Sequence, residues 1–190
     1  MVNILVQELA TPRLHLRRLT EDDAPIFYEK LGSSKAVTQY MLWQPHMSIE
    51  DSIASIQKAL RGYEDGSSCR WAIVRKDRDS LIGMIALLPR DVSQGVYSFA
   101  YMLAEDVWNQ GYGTEALKAV IAFAFQECSA QCIVADHFAE NPASGIVMKK
   151  AGMQYHETIP GKYEKNGVRH DAIEYTFSRS QWQESTKIPI

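Results

Sequence analysis

Arg13–Leu19 alternates apolar and polar residues in the manner of a half-buried strand. Thr20 then reads as a helix N-cap, with Glu21–Asp23 in the first turn and Gly32 at the far end, which predicts a helix of about a dozen residues. Ser48, followed by Glu50 and Asp51, repeats that grammar and opens a helix running to Gly62. Cys69–Arg75 and Leu81–Leu88 flank the polar turn Lys76–Ser80, an antiparallel hairpin. Val96–Leu103 is a third strand of this stretch, entered through Ser93-Gln94-Gly95. The period then changes. Gly113–Cys128 is helical and apolar nearly all round (Ala116, Leu117, Val120, Ile121, Phe123, Phe125), which predicts burial against a sheet. Cys132–Phe138 reads as a strand, Asn141–Ala151 as a helix stopped by Gly152, and Tyr155–Tyr163 with Val168–Ser178 as a closing hairpin around Asn166-Gly167.

The order β-α-α-β-β-β-α-β-α-β-β predicts an α/β (mixed α+β) fold. One mixed central sheet of about seven strands carries helices on both faces, with its β-α-β centre at Val96–Phe138. At 190 residues, without a repeat or a Pro/Gly/Ser linker, the chain is a single domain over 1–190. Its 46% hydrophobic content suffices for a full core and excludes a disordered or fibrous class. Net charge is −3 with no basic block, so direct nucleic-acid binding is not expected. Cys69, Cys128 and Cys132 are odd in number and lack C-x-x-C spacing. They read as reduced, mostly buried thiols and not as a disulfide scaffold or zinc site. Met1–Ala10 lacks the features of a signal peptide, and the apolar run Ala119–Phe125 is too short for a bilayer. A soluble, cytoplasmic protein with no membrane partner is expected.

The segment that carries chemistry is Trp108-Asn109-Gln110-Gly111-Tyr112-Gly113-Thr114-Glu115-Ala116, between a strand and a helix. Its glycines let the chain turn tightly and bring several N–H groups to one point. The helix beyond adds unpaired N–H groups and a partial positive charge, so the segment can hold an anion such as a diphosphate. The glycines equally fit a plain strand-to-helix connection. Gly111-x-Gly113-x-x-Ala116, with Asp136 20 residues beyond Ala116, also matches a dinucleotide fingerprint. That match is superficial: in such folds the first glycine follows the strand almost directly, whereas here Leu103–Gln110 intervenes. The flanking hairpins are also wrong for a parallel doubly wound sheet.

The same segment resembles the pyrophosphate loop of the GNAT superfamily of N-acetyltransferases. More narrowly it is similar to the branch containing the ribosomal-protein N-terminal acetyltransferases, which places Trp where other members have Arg or Gln. Four further segments agree in order and spacing: Thr11-Pro12-Arg13-Leu14-His15-Leu16-Arg17, Phe99-Ala100-Tyr101-Met102-Leu103, Asn141-Pro142-Ala143-Ser144 with Lys150-Ala151-Gly152-Met153, and Asp171-Ala172-Ile173-Glu174-Tyr175. The resemblance covers residues 10–182 and leaves 183–190 as an expected flexible tail.

The resemblance implies a GNAT-like fold and acetyl-CoA as cosubstrate, with no metal. The pantetheine arm would pair like an extra strand between Val96–Leu103 and Cys132–Phe138, facing backbone groups of Met102, Leu103 and Ala104, one amide being the oxyanion donor. Gln110, Gly111, Tyr112, Gly113 and Thr114 would hold the diphosphate, with Lys150 on the cofactor side. Asn141 would contact the arm, though a helix cap explains it equally. Ser144 would assist the departing thiolate. His137 and Glu164 (or Tyr163, one residue earlier) are the candidate bases, with a bound water as the alternative. Tyr28, Trp43 and Tyr101 would wall the acceptor pocket.

Three departures stand out: Asn109 where the branch usually has Gly, Ser98 where many relatives carry Glu, and Ile146 in place of a frequent Arg. The implied activity is acetyl transfer to a primary amine, first of all a protein N-terminal α-amino group. The alternatives are a polyamine, amino acid or antibiotic acceptor, or a non-catalytic coenzyme A-binding sensor. A homodimer is compatible with the sequence.

Overall fold

A Pro at the second helical position, a glycine with no room for a side chain and a competing serine break the first predicted helix into three pieces. The computed structural model describes residues 7–187, and shows a 3₁₀ turn at Glu21–Asp23, helix α1 at Ala24–Phe27 and a wide turn at Tyr28–Gly32. Both the N–H and the hydroxyl of Ser33 donate to Tyr28 O (3.1 and 2.7 Å), which spreads the last turn. A Cβ on Gly32 would lie 2.5 Å from His46 Nδ1, so only glycine permits this approach. The short helix α2 follows at Lys35–Thr38, and α3 spans Ile49–Asp65 behind the Ser48 cap. Residues 1–6, which include most of the segment read for a leader, and 188–190 of the expected tail lie outside the described residues.

The strands are β1 (Leu9–Ala10), β2 (Leu14–Arg17), β3 (Cys69–Arg75), β4 (Ser80–Asp91), β5 (Val96–Leu103), β6 (Cys132–Phe138), β7 (Gln154–Lys165) and β8 (Val168–Ser178). They form one eight-stranded mixed sheet in the order β1-β2-β3-β4-β5-β6-β8-β7. The strand beyond the expected seven is the two-residue β1, too short for any alternation to show. All neighbours are antiparallel except β5 and β6, which are joined through helix α4 (Tyr112–Gln126). Helix α5 (Pro142–Lys150) precedes the closing hairpin, where Asn166 and Gly167 take φ of 54° and 75°, as a tight two-residue turn requires. Helix α6 (Arg179–Lys187) runs through 183–187 of the expected tail. Arg179 donates to Phe125 O and Ala130 O, and Trp182 stacks on Phe125, closing the far end of α4.

The core sits on both sides of the sheet. Trp71, Ala72 and Ile73 are consecutive and all fully buried, so both faces of β3 are covered. Phe123 of α4 meets Trp71 edge-on at 5.4 Å. Cys69 and Cys128 are buried thiols whose pKa values burial pushes up to about 12 and about 11, and Cys132 is half-buried. No helix among the described residues is long and apolar enough to cross a membrane.

Candidate active site

The central parallel strands part company almost at once. β5 and β6 pair only at Val96–Cys132 and Tyr97–Ile133, whereas β6 pairs with β8 along its whole length. From Phe99 to Leu103 one edge of β5 therefore faces an open wedge. Ladder geometry shows which groups line it. Ala104 N donates to Ile82 O (2.8 Å), and the register Met102–Met84 continues that hydrogen-bonded set toward β4. The backbones of Phe99, Tyr101 and Leu103 point the other way. On the far side, Ala139 N donates to Asp171 O and Arg179 N to Gln131 O, so Val134 and Asp136 turn their peptide groups into the wedge. Of the expected trio Met102, Leu103 and Ala104, only Leu103 presents its backbone there. The sequence could not show this, because the alternation fixes side-chain faces and the assignment of peptide groups needs the register.

At the mouth of the wedge, Asn109 and Gly111 sit at φ of 60° and 83°, and α4 begins at Tyr112. Glu115 N closes the first turn on Gly111 O (3.0 Å), leaving the N–H groups of Tyr112, Gly113 and Thr114 without helical partners. A Cβ on Gly113 would lie 3.2 Å from Leu103 Cδ1, so the absence of a side chain there lets the loop sit close against the end of β5. Trp108 Nε1 donates to Leu103 O (2.8 Å) and fixes the other side of the turn. These features fit a diphosphate: free amides at a helix N-terminus, a positive-φ cradle and a nearby guanidinium. That guanidinium belongs to Arg13, which donates from Nε to Glu115 Oε2 (2.6 Å) and from Nη1 to Gln110 O (3.0 Å), and lies 4.3 Å over the Tyr112 ring. Thr11 Oγ1 and Arg13 N also donate to Glu115 Oε1 (2.6 and 2.9 Å). Burial works to raise the Glu115 pKa, but the bonds from Thr11 and Arg13 outweigh it and hold the carboxyl below its usual range.

On the α5 side of the wedge, Asn141 caps the helix, its Oδ1 accepting from Ser144 N (3.4 Å). Ser144 is buried, and its Oγ lies 3.2 Å from Tyr101 Oη across the gap between β5 and α5. His137 is beneath α5, its ring stacked on Tyr175. The Nδ1–H of His137 donates to Phe138 O (2.7 Å), while Nε2 is buried, has no hydrogen-bond partner and faces Gly145. Burial pushes the His137 pKa down, so the neutral ring is favoured.

The sequence model of the acetyltransferase (GNAT) domain matches residues 13–154, three quarters of the chain, and spans the wedge and the loop together. The chain belongs to the GNAT acetyltransferase family. Among relatives, the uncharacterized N-acetyltransferase YoaA of Bacillus subtilis (strain 168) is 29% identical over 168 residues, 88% of this chain and 94% of that protein. Among solved structures, the ribosomal-protein α-N-acetyltransferase RimL in complex with coenzyme A superposes with a TM-score of 0.82 at 19% identity, covering 90% of this chain and 98% of that one. The spermidine N-acetyltransferase of Vibrio cholerae, with coenzyme A and spermine, gives 0.78 at 17% identity, covering 91% and 99%. At these identities the two structures speak for the fold alone.

In this acetyltransferase the second face of the wedge holds Tyr163, the alternative to Glu164 as a base, together with groups that the sequence does not single out for acetyl transfer. Strand alternation puts Ser98, Ala100 and Met102 on that face, opposite the side of Tyr101 and Ser144. Asp136 shares it. The Asp136 carboxylate is nearly fully buried and accepts from Tyr163 Oη, Lys162 Nζ and Arg90 Nη2. Tyr163 stacks on Phe138 with ring centroids 4.3 Å apart, and Tyr40 lies 5.9 Å from Phe138. A one-residue bulge in β7 between Tyr155 and Glu157 puts Ile159 and Tyr163 on the Asp136 face, and the two-residue shift between Ile159 and Tyr163 leaves that facing unchanged. Glu164 instead lies exposed opposite Arg169 near the hairpin tip, apart from the wedge. Lys162 also reaches Glu174 Oε2 at 3.6 Å, serving as the cation beside the cluster His156, Glu157 and Glu174.

Above this face, Lys165 Nζ donates to Thr38 O and Met41 O (2.8 and 2.5 Å), and Gln44 Nε2 donates to Asn166 Oδ1 (2.6 Å). The hairpin tip is thus tied to the connection that follows α2. Trp43, in this connection, is half-buried beside His46, ring centroids 4.8 Å apart, and Tyr28, from the wide turn before α2, is tied to it by Oη donating to Met47 O (3.3 Å). Lys150 is exposed in the last turn of α5, about 9 Å along the axis from Ser144 at 1.5 Å per residue.

Proposed function

We propose that this acetyltransferase moves the acetyl group of acetyl-CoA to a primary amine, with a protein N-terminal α-amino group as the first acceptor class. The observation that carries the reading is the wedge, where the backbones of Phe99, Tyr101, Leu103, Val134 and Asp136 turn into a gap that β5–β6 pairing does not close, directly beneath the anion cradle at Gly111–Thr114. An amide-bearing arm can pair there as an added strand, while its diphosphate meets the free amides of α4. The N–H groups of Tyr101 and Leu103 are the oxyanion donors in this reading, and Ser144 stands by the sulfur. The acceptor enters from the Ser98 and Asp136 face. The acceptor's ammonium must lose a proton before attack. His137 is on the opposite side, buried under Gly145, and Glu164 is at the exposed tip; a wedge-bound water beside Asp136 is left to take that proton.

The clasp from Lys165 and Asn166 to residues 38–44 favours a second reading, a small-molecule amine, because it narrows access from that side. The test measures free thiol released from acetyl-CoA against pools of short peptides, amino acids, polyamines and aminoglycosides. Thiol above background with the peptide pool supports the first reading, and with a small-amine pool the second. If acetyl-CoA raises the melting temperature yet no pool yields thiol, the protein binds without catalysing, and the proposal fails.

A further inference from the structure

We infer that Tyr101 is a positioning residue for Ser144, donating its hydroxyl hydrogen to Ser144 Oγ so that the serine hydrogen is aimed at the thioester sulfur. This rests on the proposed acetyl transfer and gives Tyr101, whose side chain lies on the face away from the acceptor's entry, a part other than walling the acceptor pocket. Tyr101 belongs to both halves of the site: its backbone faces the wedge, and its side chain crosses to α5, where Oη lies 3.2 Å from Ser144 Oγ. The ring lies beside Gly113 at the start of α4, where a Cβ would fall 3.6 Å from Tyr101 Cε2. Each hydroxyl has a single hydrogen to give. If Ser144 donated to Tyr101, its hydrogen would be consumed and nothing would face the sulfur. With Tyr101 as donor, the Ser144 hydrogen is free, and each step passes a proton outward. Ser144 N is meanwhile fixed by the Asn141 cap, which sets where Oγ stands.

The chemical balance is complete. As the tetrahedral adduct collapses, the C–S bond breaks and its electron pair goes to sulfur. Sulfur takes the Ser144 Oγ proton, Oγ takes the Tyr101 Oη proton, and solvent water reprotonates Tyr101 with the proton the acceptor amine released. Burial raises the Tyr101 pKa, so the phenol is intact at neutral pH and able to donate.

Two measurements test this on the intact protein. In the first, Tyr101→Phe, Ser144→Ala and the double variant are compared by steady-state kinetics. Tyr101→Phe should lower kcat about 10-fold with KM for acetyl-CoA within about twofold. The double variant should be no slower than Ser144→Ala, because Tyr101 acts only through Ser144. The second needs no acceptor: calorimetry compares coenzyme A with desulfo-coenzyme A across pH 7 to pH 10. The wild type should prefer coenzyme A several-fold, increasingly as the thiolate forms, and both single variants should lose that preference while binding desulfo-coenzyme A as before. An unchanged kcat in Tyr101→Phe, multiplicative losses in the double variant, or a retained thiol preference would overturn the inference. Loss of the preference in both variants, with no transfer to any amine pool, would uphold the pair and sink the transferase reading instead.

Discussion

Replacing Arg13 by Ala should weaken both the fold and its grip on acetyl-CoA, through one guanidinium. Arg13 is half exposed and Glu115 mostly buried, so the 2.6 Å ion pair between them is worth about 1 kcal/mol once water is allowed for. The bond to Gln110 O adds roughly 0.5–1 kcal/mol, and the contact over Tyr112 about 0.5 kcal/mol. The sum, about 2 kcal/mol, corresponds to a Tm lowered by roughly 4–8 °C in a chain of this size. The effect on the cosubstrate has the same sign. Without Arg13, the Glu115 carboxylate is left facing the anion cradle with only Thr11 Oγ1 and the residue 13 amide as partners. Its repulsion of a diphosphate is about 1 kcal/mol across several ångströms of partly screened protein, and a loosened Gln110–Gly111 turn adds to it. Calorimetry should show acetyl-CoA bound roughly 10-fold more weakly at low salt, with a smaller deficit at high salt. Adding Glu115→Gln to Arg13→Ala should recover part of the affinity, and Arg13→Lys should fall in between, since it keeps charge without the fork. Because the folded Glu115 pKa is depressed, its contribution exists above the unfolded value and is lost as pH falls below about 4.3. The Tm gap between wild type and Arg13→Ala should shrink there. An Arg13→Ala protein with wild-type Tm and affinity would refute the brace.

Gly111→Asp places a side chain at φ 83° and a carboxylate in the cradle, so acetyl-CoA affinity by calorimetry should drop at least about 100-fold; an unchanged Kd would remove the loop from the site. Asp23→Ala takes away the acceptor of two Arg17 bonds (2.8 and 2.7 Å) and of Thr20 N (2.9 Å) at a buried position, and should cost about 3 kcal/mol in urea unfolding. A loss under 1 kcal/mol would contradict the ion pair's role in anchoring the first helical turn. Gly145→Ala would set a Cβ 2.6 Å from His137 Nε2 in a buried contact and should destabilise by about 1–3 kcal/mol; a neutral result would mean that α5 can shift. The His137 pKa is lowered by burial, so the unfolded chain takes up the proton first and wild-type stability should decline as pH falls below about 6.5. His137→Asn should flatten that decline, measured as the urea midpoint between pH 7 and pH 5; the same slope in both proteins would clear His137 of the effect.

Where local chemistry decides, the sequence could be read closely. Val96–Leu103 and Cys132–Phe138 coincide with β5 and β6 because alternation and flanking turns mark both ends, and Asn166-Gly167 makes its turn because both residues tolerate positive φ. The Gly111 loop is legible for the same reason. What escaped depends on partners distant in sequence. The wide turn at Tyr28–Gly32 follows from Gly32 meeting His46, and α6 is held by Trp182 on Phe125 and Arg179 on carbonyls about 50 positions back.

The site divides along the same line. Thr11-Pro12-Arg13 showed a resemblance but no purpose until the fold set it against Glu115, roughly a hundred residues away. Glu164 and Tyr163 are neighbours in the chain, and the one-residue bulge in β7 between Tyr155 and Glu157 decides which of them reaches Asp136. One slipped residue reverses the face of every side chain beyond it, so a base chosen by alignment in an irregular strand carries an error of a whole face. Peptide groups obey that rule as strictly as side chains. The same parity that sends Ala104 N to Ile82 delivers Tyr101 and Leu103 to the wedge, and it thereby leaves the oxyanion donors proposed for this site to be found by register and not by motif.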